Sequence, residues 1–299
     1  MTTTFLSHTH RRHRWRLTFQ RYLGLTLNIF PPFIYILLLF YVPMGMMFII
    51  SFWKSGFMTL EPIFTLDNYK TFFTTPIYLR TLYNTFVIAT GSMILLVIIG
   101  YPIAYYLARI GTKYTYLILF LLIIPVEINF LIRIFAWKIA LGNNGVLNSL
   151  LMQLSIIEEP LKFLLYSKTA VMIVLIHEWL PYVVIPIFLS LRGIPQSVIE
   201  AARDLGSSNY DIFRHILLPL SVPGLFASMV LVYIPMLGEF AVPALVGGPS
   251  GYMLGNVIEN QFLSAGNWGL GSAIGFILLF ITLVLVAIVI KVAGVEELL

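Results

Sequence analysis

Six long apolar stretches run along the chain, with polar segments between them: Phe30–Ser51, Leu82–Leu107, Tyr114–Phe135, Thr169–Leu191, Leu220–Val242 and Gly269–Ile290. A helix needs about 20 predominantly apolar residues to cross the hydrocarbon of a bilayer, and each stretch is long enough. The pattern therefore predicts six membrane helices, each bounded by Pro, Gly, Asn or charge. Prolines fall inside or beside several of them, at Pro43, Pro125, Pro181, Pro186, Pro219, Pro223 and Pro235. The fifth helix is thus expected to kink. Backbone carbonyls freed by such breaks must find protein or a watered cavity. The connections 52–81, 136–168 and 243–268 are longer. In them Gly247–Gly251 reads as a turn, and Leu150–Ile157 as a short helix lying on the membrane.

One polar interval, 192–219, is built differently. Glu200-Ala201-Ala202-Arg203-Asp204-Leu205 is a run of helix formers, and Gly206 can turn the chain at low cost. Ser207-Ser208-Asn209 supplies N-cap chemistry for a second short helix from about Tyr210, with Asp211 in its first turn. Charged groups cannot face lipid cheaply, so the interval is expected outside the bilayer as a helix–turn–helix along its surface. Propensity alone allows an ordinary amphipathic loop as readily as a docking surface.

Composition agrees with a membrane protein. Hydrophobic residues are 59% of 299 and charged residues 10%, where a soluble domain carries roughly 25% charged. Mean hydropathy is +0.93. The net charge of +5 is not spread over a soluble face. It gathers in Arg11, Arg12, Arg14, Arg16 and Arg21 of a tail, 1–28, that has no acid, and in short loops. That tail reads as cytoplasmic and held near anionic headgroups, followed by a spanning unit 29–292 and a short tail 293–299. The run after it is too long for a signal peptide's h-region of about 7–15 residues. With the N-terminus inside, Arg109, Lys113, Arg192, Arg203, Arg214 and Lys291 also fall inside, against Lys54, Lys70, Arg80, Lys138, Lys162 and Lys168 outside. Both termini and the polar interval are therefore expected in the cytoplasm of a multi-pass cell-membrane protein.

Enzyme chemistry has little footing here. There is no cysteine, so no thiolate and no Cys-based metal site. His177-Glu178-Trp179 opens like a zinc-protease signature, but Pro181 follows where a histidine is required, so no metal site is expected. No Gly-x-x-x-x-Gly-Lys-Ser/Thr occurs, and any ATP hydrolysis must come from another polypeptide. Gly271 and Gly275 form a small-residue packing face.

The remaining signal is polar residues at membrane depth. Glu127, Asn129 and Arg133 lie in or near the third stretch, His177 and Glu178 in the fourth, Tyr233 and Glu239 in the fifth. Such groups are costly unless they meet a cavity or a partner. On one continuous helix Asn129, Arg133 and Trp137 share a face, while Glu127 lies about 240° round from Arg133. Glu178 and Tyr182 share a second face. Two readings stay open. Glu127, Glu178 and Glu239 line an acidic path for a cationic amine, with Trp137, Trp179, Tyr182, Tyr233 and Phe240 as its aromatic wall. Alternatively, Arg133 bridges a carboxylate on a neighbouring helix and the acids fix packing.

The spacing Glu200-Ala-Ala, three residues, Gly206, nine residues, Ile216-x-Leu-Pro219 resembles the EAA loop of permease subunits in binding-protein-dependent ABC importers. Phe64-Thr-Leu-Asp67-Asn-Tyr69, Leu131-Ile-Arg133-Ile-Phe-Ala-Trp137, Trp179-Leu-Pro181-Tyr182 and Gly238-Glu239-Phe240-Ala-Val-Pro243-Ala-Leu-Val-Gly247-Gly248 are similar to the spermidine/putrescine branch. The likeness runs from about residue 35 to the last stretch. It implies an all-α, six-span type I permease. Its Glu200, Ala201, Ala202, Arg203, Asp204, Gly206 and Ser207 would sit in a groove of a cytoplasmic ATPase and carry its closure to the spans. It also implies a second permease subunit, two ATP-binding subunits and an extracytoplasmic substrate-binding protein. Membrane lipid surrounds it and nucleic acid plays no part. No cofactor is expected on this chain, ATP and Mg belonging to the ATPase. Spermidine or putrescine is the implied cargo. Another small amine, an organic solute or an anion held by Arg133 remains an alternative. An ion-gradient-driven transporter is a weaker one, because inverted repeats are not seen.

Overall fold

Apolar continuity builds long helices, and local breakers decide where they stop. The computed structural model describes residues 30–111 and 113–292, so both predicted tails lie outside the described residues. Helix α1 (Phe30–Ile50) leads into a hairpin of β1 (Trp53–Gly56) and β2 (Thr59–Phe64), then α2 (Asp67–Thr74) and α3 (Pro76–Ile110). Next come α4 (Thr115–Glu127), α5 (Phe130–Ala140), α6 (Val146–Gln153) and α7 (Lys168–Gly193). The polar interval holds α8 (Gln196–Asp204) and α9 (Asn209–Leu220). It is followed by α10 (Val222–Leu237), α11 (Leu254–Leu263) and α12 (Trp268–Val292). Four helices, α1, α3, α7 and α12, are each long and apolar enough to cross a membrane. The bent pairs α4–α5 and α9–α10 raise the number to six if each pair is one span.

The third stretch is not one helix. It bends by 93° between α4 and α5. Pro125 has no N–H to give, and the chain tightens into a 3-10 turn over Ile124–Glu127. Ile128 is extended, and Asn129 restarts the helix by accepting the Leu131 N–H at 2.9 Å. The fifth stretch likewise ends early, at Leu237 rather than Val242, just after Pro235. The short helix expected at 150–157 runs instead over Val146–Gln153, where Gly145 precedes it and Ser155 turns the chain with φ 56°.

The fold is also not purely helical. Trp53, Thr59, Ile63 and Phe64 favour a pleated backbone, and Lys54 pairs with Glu61 across the antiparallel strands at 3.0 Å. Ser55 gives its hydroxyl to Asn267 at 2.6 Å, and the Met58 N–H reaches Ala265 O at 2.9 Å. These bonds fasten the hairpin to the turn before α12.

The centre is α7, flanked by α3 and α10. Ile88, Leu96, Val174, Leu175, Val183, Ile187, Val232 and Met236 are buried there. Lipid competes for apolar contact, so helix association relies on close packing and small residues. Gly224 lets α10 approach α7 closely, since a Cβ on it would stand 2.7 Å from Pro186 O. By contrast, none of the apolar window of α1 is buried. Gly271 packs on the Phe262 ring of α11, within this chain, while nothing among the described residues stands within 4 Å of a Cβ at Gly275.

Candidate functional site

Two features carry the predicted chemistry: the polar strap of α8 and α9, and a cavity between α5, α7 and the end of α10. The strap is locally self-sufficient. The end of α8 is closed by Gly206 N–H to Arg203 O at 2.8 Å and Ser207 N–H to Ala202 O at 3.0 Å. That closure needs a left-handed residue, which Gly206 provides at φ +83°. Helix α9 opens with a reciprocal cap: the Ser208 hydroxyl oxygen accepts the Asp211 N–H at 3.2 Å, and the Asp211 carboxylate accepts the Ser208 N–H at 3.3 Å. The Ser208 hydroxyl, and then its N–H, hold the Asp211 carboxyl below its ordinary pKa.

The strap turns an apolar edge inward and a polar one outward. Ile199, Ala202, Ile212 and Leu217 are buried against the bundle, while Glu200, Ala201, Arg203, Asp204 and Gly206 are exposed and Ser207 is half-buried. Leu205 is 87% exposed and Tyr210 64%, so two large apolar groups stand on a charged outer surface. Three contacts root it. Arg109 of α3 donates to Ile194 O at 3.0 Å. The Tyr101 hydroxyl lies 2.9 Å from the Ser221 hydroxyl. The Tyr101 ring meets Phe213 edge-on at 5.8 Å. All three are made by α3, and Ser221 is also the residue through which α9 runs on into α10.

The cavity, about 210 Å³, is lined by Phe130, Arg133, Glu178, Trp179, Tyr182 and Glu239, with Ile134 and Val242. Arg133 Nη2 meets Glu178 Oε2 at 2.5 Å, with side chains only 12% and 10% exposed. Arg133 Nη1 also donates to Pro125 O at 3.0 Å, the carbonyl at the break in the third stretch. So the alternative reading, an Arg133 bridge to a neighbouring carboxylate, is present in the structure. Glu239 Oε1 accepts the N–H groups of Phe240, Ala241 and Val242 at 3.1, 2.9 and 3.3 Å. That carboxylate restarts the helix past Gly238 and faces the same cavity.

Other predicted residues are placed elsewhere. Glu127 is exposed at the end of its turn, and Asn129 is spent on a cap rather than sharing a helix face with Arg133. Trp137 does share that face but packs edge-on against His177, ring centroids 5.3 Å apart. Tyr233 turns away and hydrogen-bonds the Thr90 hydroxyl at 2.9 Å. Phe240 is engaged through its backbone, where Asn256 Nδ2 donates to its carbonyl at 2.6 Å. Phe130, Ile134 and Val242 were not foreseen as lining residues, because an apolar residue in an apolar run carries no mark. Among the described residues no three His, Cys, Asp or Glu side chains are grouped to hold a metal.

Residues 97–293 match the family of the binding-protein-dependent transport system inner membrane component. More than half of the chain is covered, and the chain belongs to that family. It is 37% identical over 210 residues to the spermidine/putrescine transport system permease protein PotB of Haemophilus influenzae, covering 70% of this chain and 73% of that one. To the protein of the same name from Escherichia coli it is 39% identical over 214 residues, covering 72% and 77%. In fold it resembles a crystal structure of a bacterial ABC transporter involved in the import of the acidic polysaccharide alginate. The TM-score is 0.74 at 20% identity, over 94% of this chain and 98% of that one. These relatives are transport subunits, and this chain is a multi-pass inner-membrane component of a transport system.

Proposed function

We propose that this chain is a permease subunit of an ATP-driven importer of polyamines such as spermidine and putrescine. It would span the membrane six times, with α4–α5 as the third span and α10, entered from the end of α9, as the fifth, and with both termini and the strap in the cytoplasm. A second permease would complete the path, two ATP-binding subunits would meet the strap, and an extracytoplasmic binding protein would deliver cargo.

The observation that carries the substrate class is the charge of the cavity wall. Two carboxylates, Glu178 and Glu239, stand against one guanidinium, Arg133, leaving a formal −1 in a half-closed apolar setting. A unit charge pair about 4 Å apart is worth about 4 kcal/mol at an effective dielectric near 20, so the wall favours an ammonium and penalises an anion. Trp179 and Tyr182, 5.5 Å apart, add ring faces for a cation. The two PotB relatives support the same cargo.

The strap supports the energy source. Its exposed Glu200, Arg203, Asp204 and Leu205 form a surface for the ATPase, with Ala201, Ala202, Gly206 and Ser207 setting its shape. Closure of the ATPase dimer would draw the strap inward, shift α3 through its three contacts and α10 through Ser221, and open the cavity outward. The binding protein would then release the amine beside Glu239, and hydrolysis would reset the path. Reconstituted complex with radiolabelled spermidine on the binding protein tests the cargo. ATP-driven spermidine uptake, competed by putrescine, is the expected result. Uptake of an unrelated organic solute, with spermidine excluded, contradicts it.

A further inference from the structure

At the strap end of the bundle, where α3 and α7 stop and α4 begins, a second pocket of about 390 Å³ opens between Leu107, Arg109, Gly111, Thr115, Tyr116 and Arg192. Among the described residues two guanidinium groups are its charges, and no carboxylate lines it. Arg109 spends Nη2 on Ile194 O, but its Nε is buried without a partner. The Arg192 guanidinium lies over two rings, 5.2 Å from the Tyr116 centroid and 5.7 Å from that of Phe188. Neither arginine is in an ion pair; among the described residues, those of Lys and Arg are Lys54–Glu61 and Arg133–Glu178.

Arg109, half-buried with an unmet donor and no counter-ion among the described residues, is unfavourable as it stands, and an anion relieves both defects. Guanidinium forks suit phosphate oxygens, and ring stacking holds one fork in place before any ligand arrives. The surroundings choose the kind of phosphate. Tyr106, Ile110, Tyr116, Leu117 and Phe120 are exposed and extend an apolar wall away from the pocket along α3 and α4. The pocket lies where the apolar run of α3 ends, the depth at which headgroups sit. We propose that it binds the phosphodiester headgroup of an anionic phospholipid, with the acyl chains along the α3–α4 wall. A headgroup there would join α3, α4 and α7 directly beside Ile194, the residue that caps α7 just ahead of the strap, and so stiffen the strap's root.

The proposal does not depend on what the chain transports, and its test needs no transport. The full chain with its partner subunits is placed in nanodiscs of phosphatidylcholine doped with phosphatidylglycerol, and retained lipid is counted by native mass spectrometry. Phosphatidylglycerol should be retained in excess over phosphatidylcholine. Arg192→Gln should weaken that retention about tenfold, the loss of one charge-assisted contact. Lys70→Gln, an exposed cation on α2, should leave it unchanged. Arg192 is preferred to Arg109 as the variant because Arg109 also holds Ile194. Equal retention in wild type and Arg192→Gln overturns the proposal. Equal retention of both lipids, with inorganic phosphate binding lost in Arg192→Gln, assigns the site to a free anion and overturns the lipid.

Discussion

Replacing Glu178 by Gln keeps the shape of the cavity wall and removes the partner of Arg133. The guanidinium then stays 12% exposed with no anion beside it. Glu178 is ten residues into α7, about 15 Å from that helix's start, and its side chain is itself only 10% exposed. Breaking one side of such a pair costs about 3–5 kcal/mol. Arg133→Gln should cost less in charge, because a buried carboxyl can take up a proton, but it also strands Pro125 O. The double variant removes both charges and should lie within about 2 kcal/mol of wild type, since a buried pair contributes little net stability. The cycle should therefore show coupling of about 2 kcal/mol or more between the two positions. Thermal unfolding of the purified protein at fixed scan rate reads this out. At about 2–4 °C per kcal/mol, Glu178→Gln should lower Tm by about 6 °C or more, and the double variant should recover most of that loss. Additive single effects, with coupling under about 0.5 kcal/mol, would refute the buried pair.

Glu239→Gln preserves an oxygen for the three N–H groups it caps while removing the charge. It should raise the KM for spermidine uptake about tenfold or more with folding intact; an unchanged KM removes Glu239 from the path. Tyr233→Phe deletes the bond to Thr90, costing about 0.5–1.5 kcal/mol in stability, and should leave the spermidine KM unaltered because Tyr233 does not line the cavity. The Asp211 cap has a signed pH dependence. Its carboxyl is held below the usual value of about 3.9, so the cap is present above that value and is lost as pH falls through the lower folded value. Protease nicking of the strap should be flat from neutral pH down to about pH 5 and rise only under stronger acid; a rise already near pH 6 contradicts the assignment.

The strap was legible because its chemistry is local. Gly206 and the Ser208–Asp211 cap act on neighbours within a few residues, and the second short helix begins at Asn209, one residue ahead of its predicted start. The cavity was legible only in part. Arg133 and Glu178 stood out as ions in apolar runs, but their pairing depends on how α5 lies against α7, and that depends on the break after Pro125. The same break turned Asn129 into a cap and left Glu127 outside the cavity, which a straight-helix reading could not foresee. The hairpin gave little sign in advance. Its turn holds Phe57 and Met58, with Met58 at φ 53°, where glycine or asparagine would have marked it. Tertiary fastening to Asn267 and Ala265 compensates for that poor turn.

In the proposed function this permease moves a polyamine by taking work from a separate ATPase through the strap. Vesicles holding the full complex, supplied with binding protein and labelled spermidine, test it most directly. Uptake should require ATP and should vanish in Gly206→Asp, which puts a charged side chain on the docking surface at a backbone φ of +83° although nothing among the described residues stands within 4 Å of its Cβ. Spermidine accumulation driven by an ion gradient, with the ATPase subunits left out, would contradict the account.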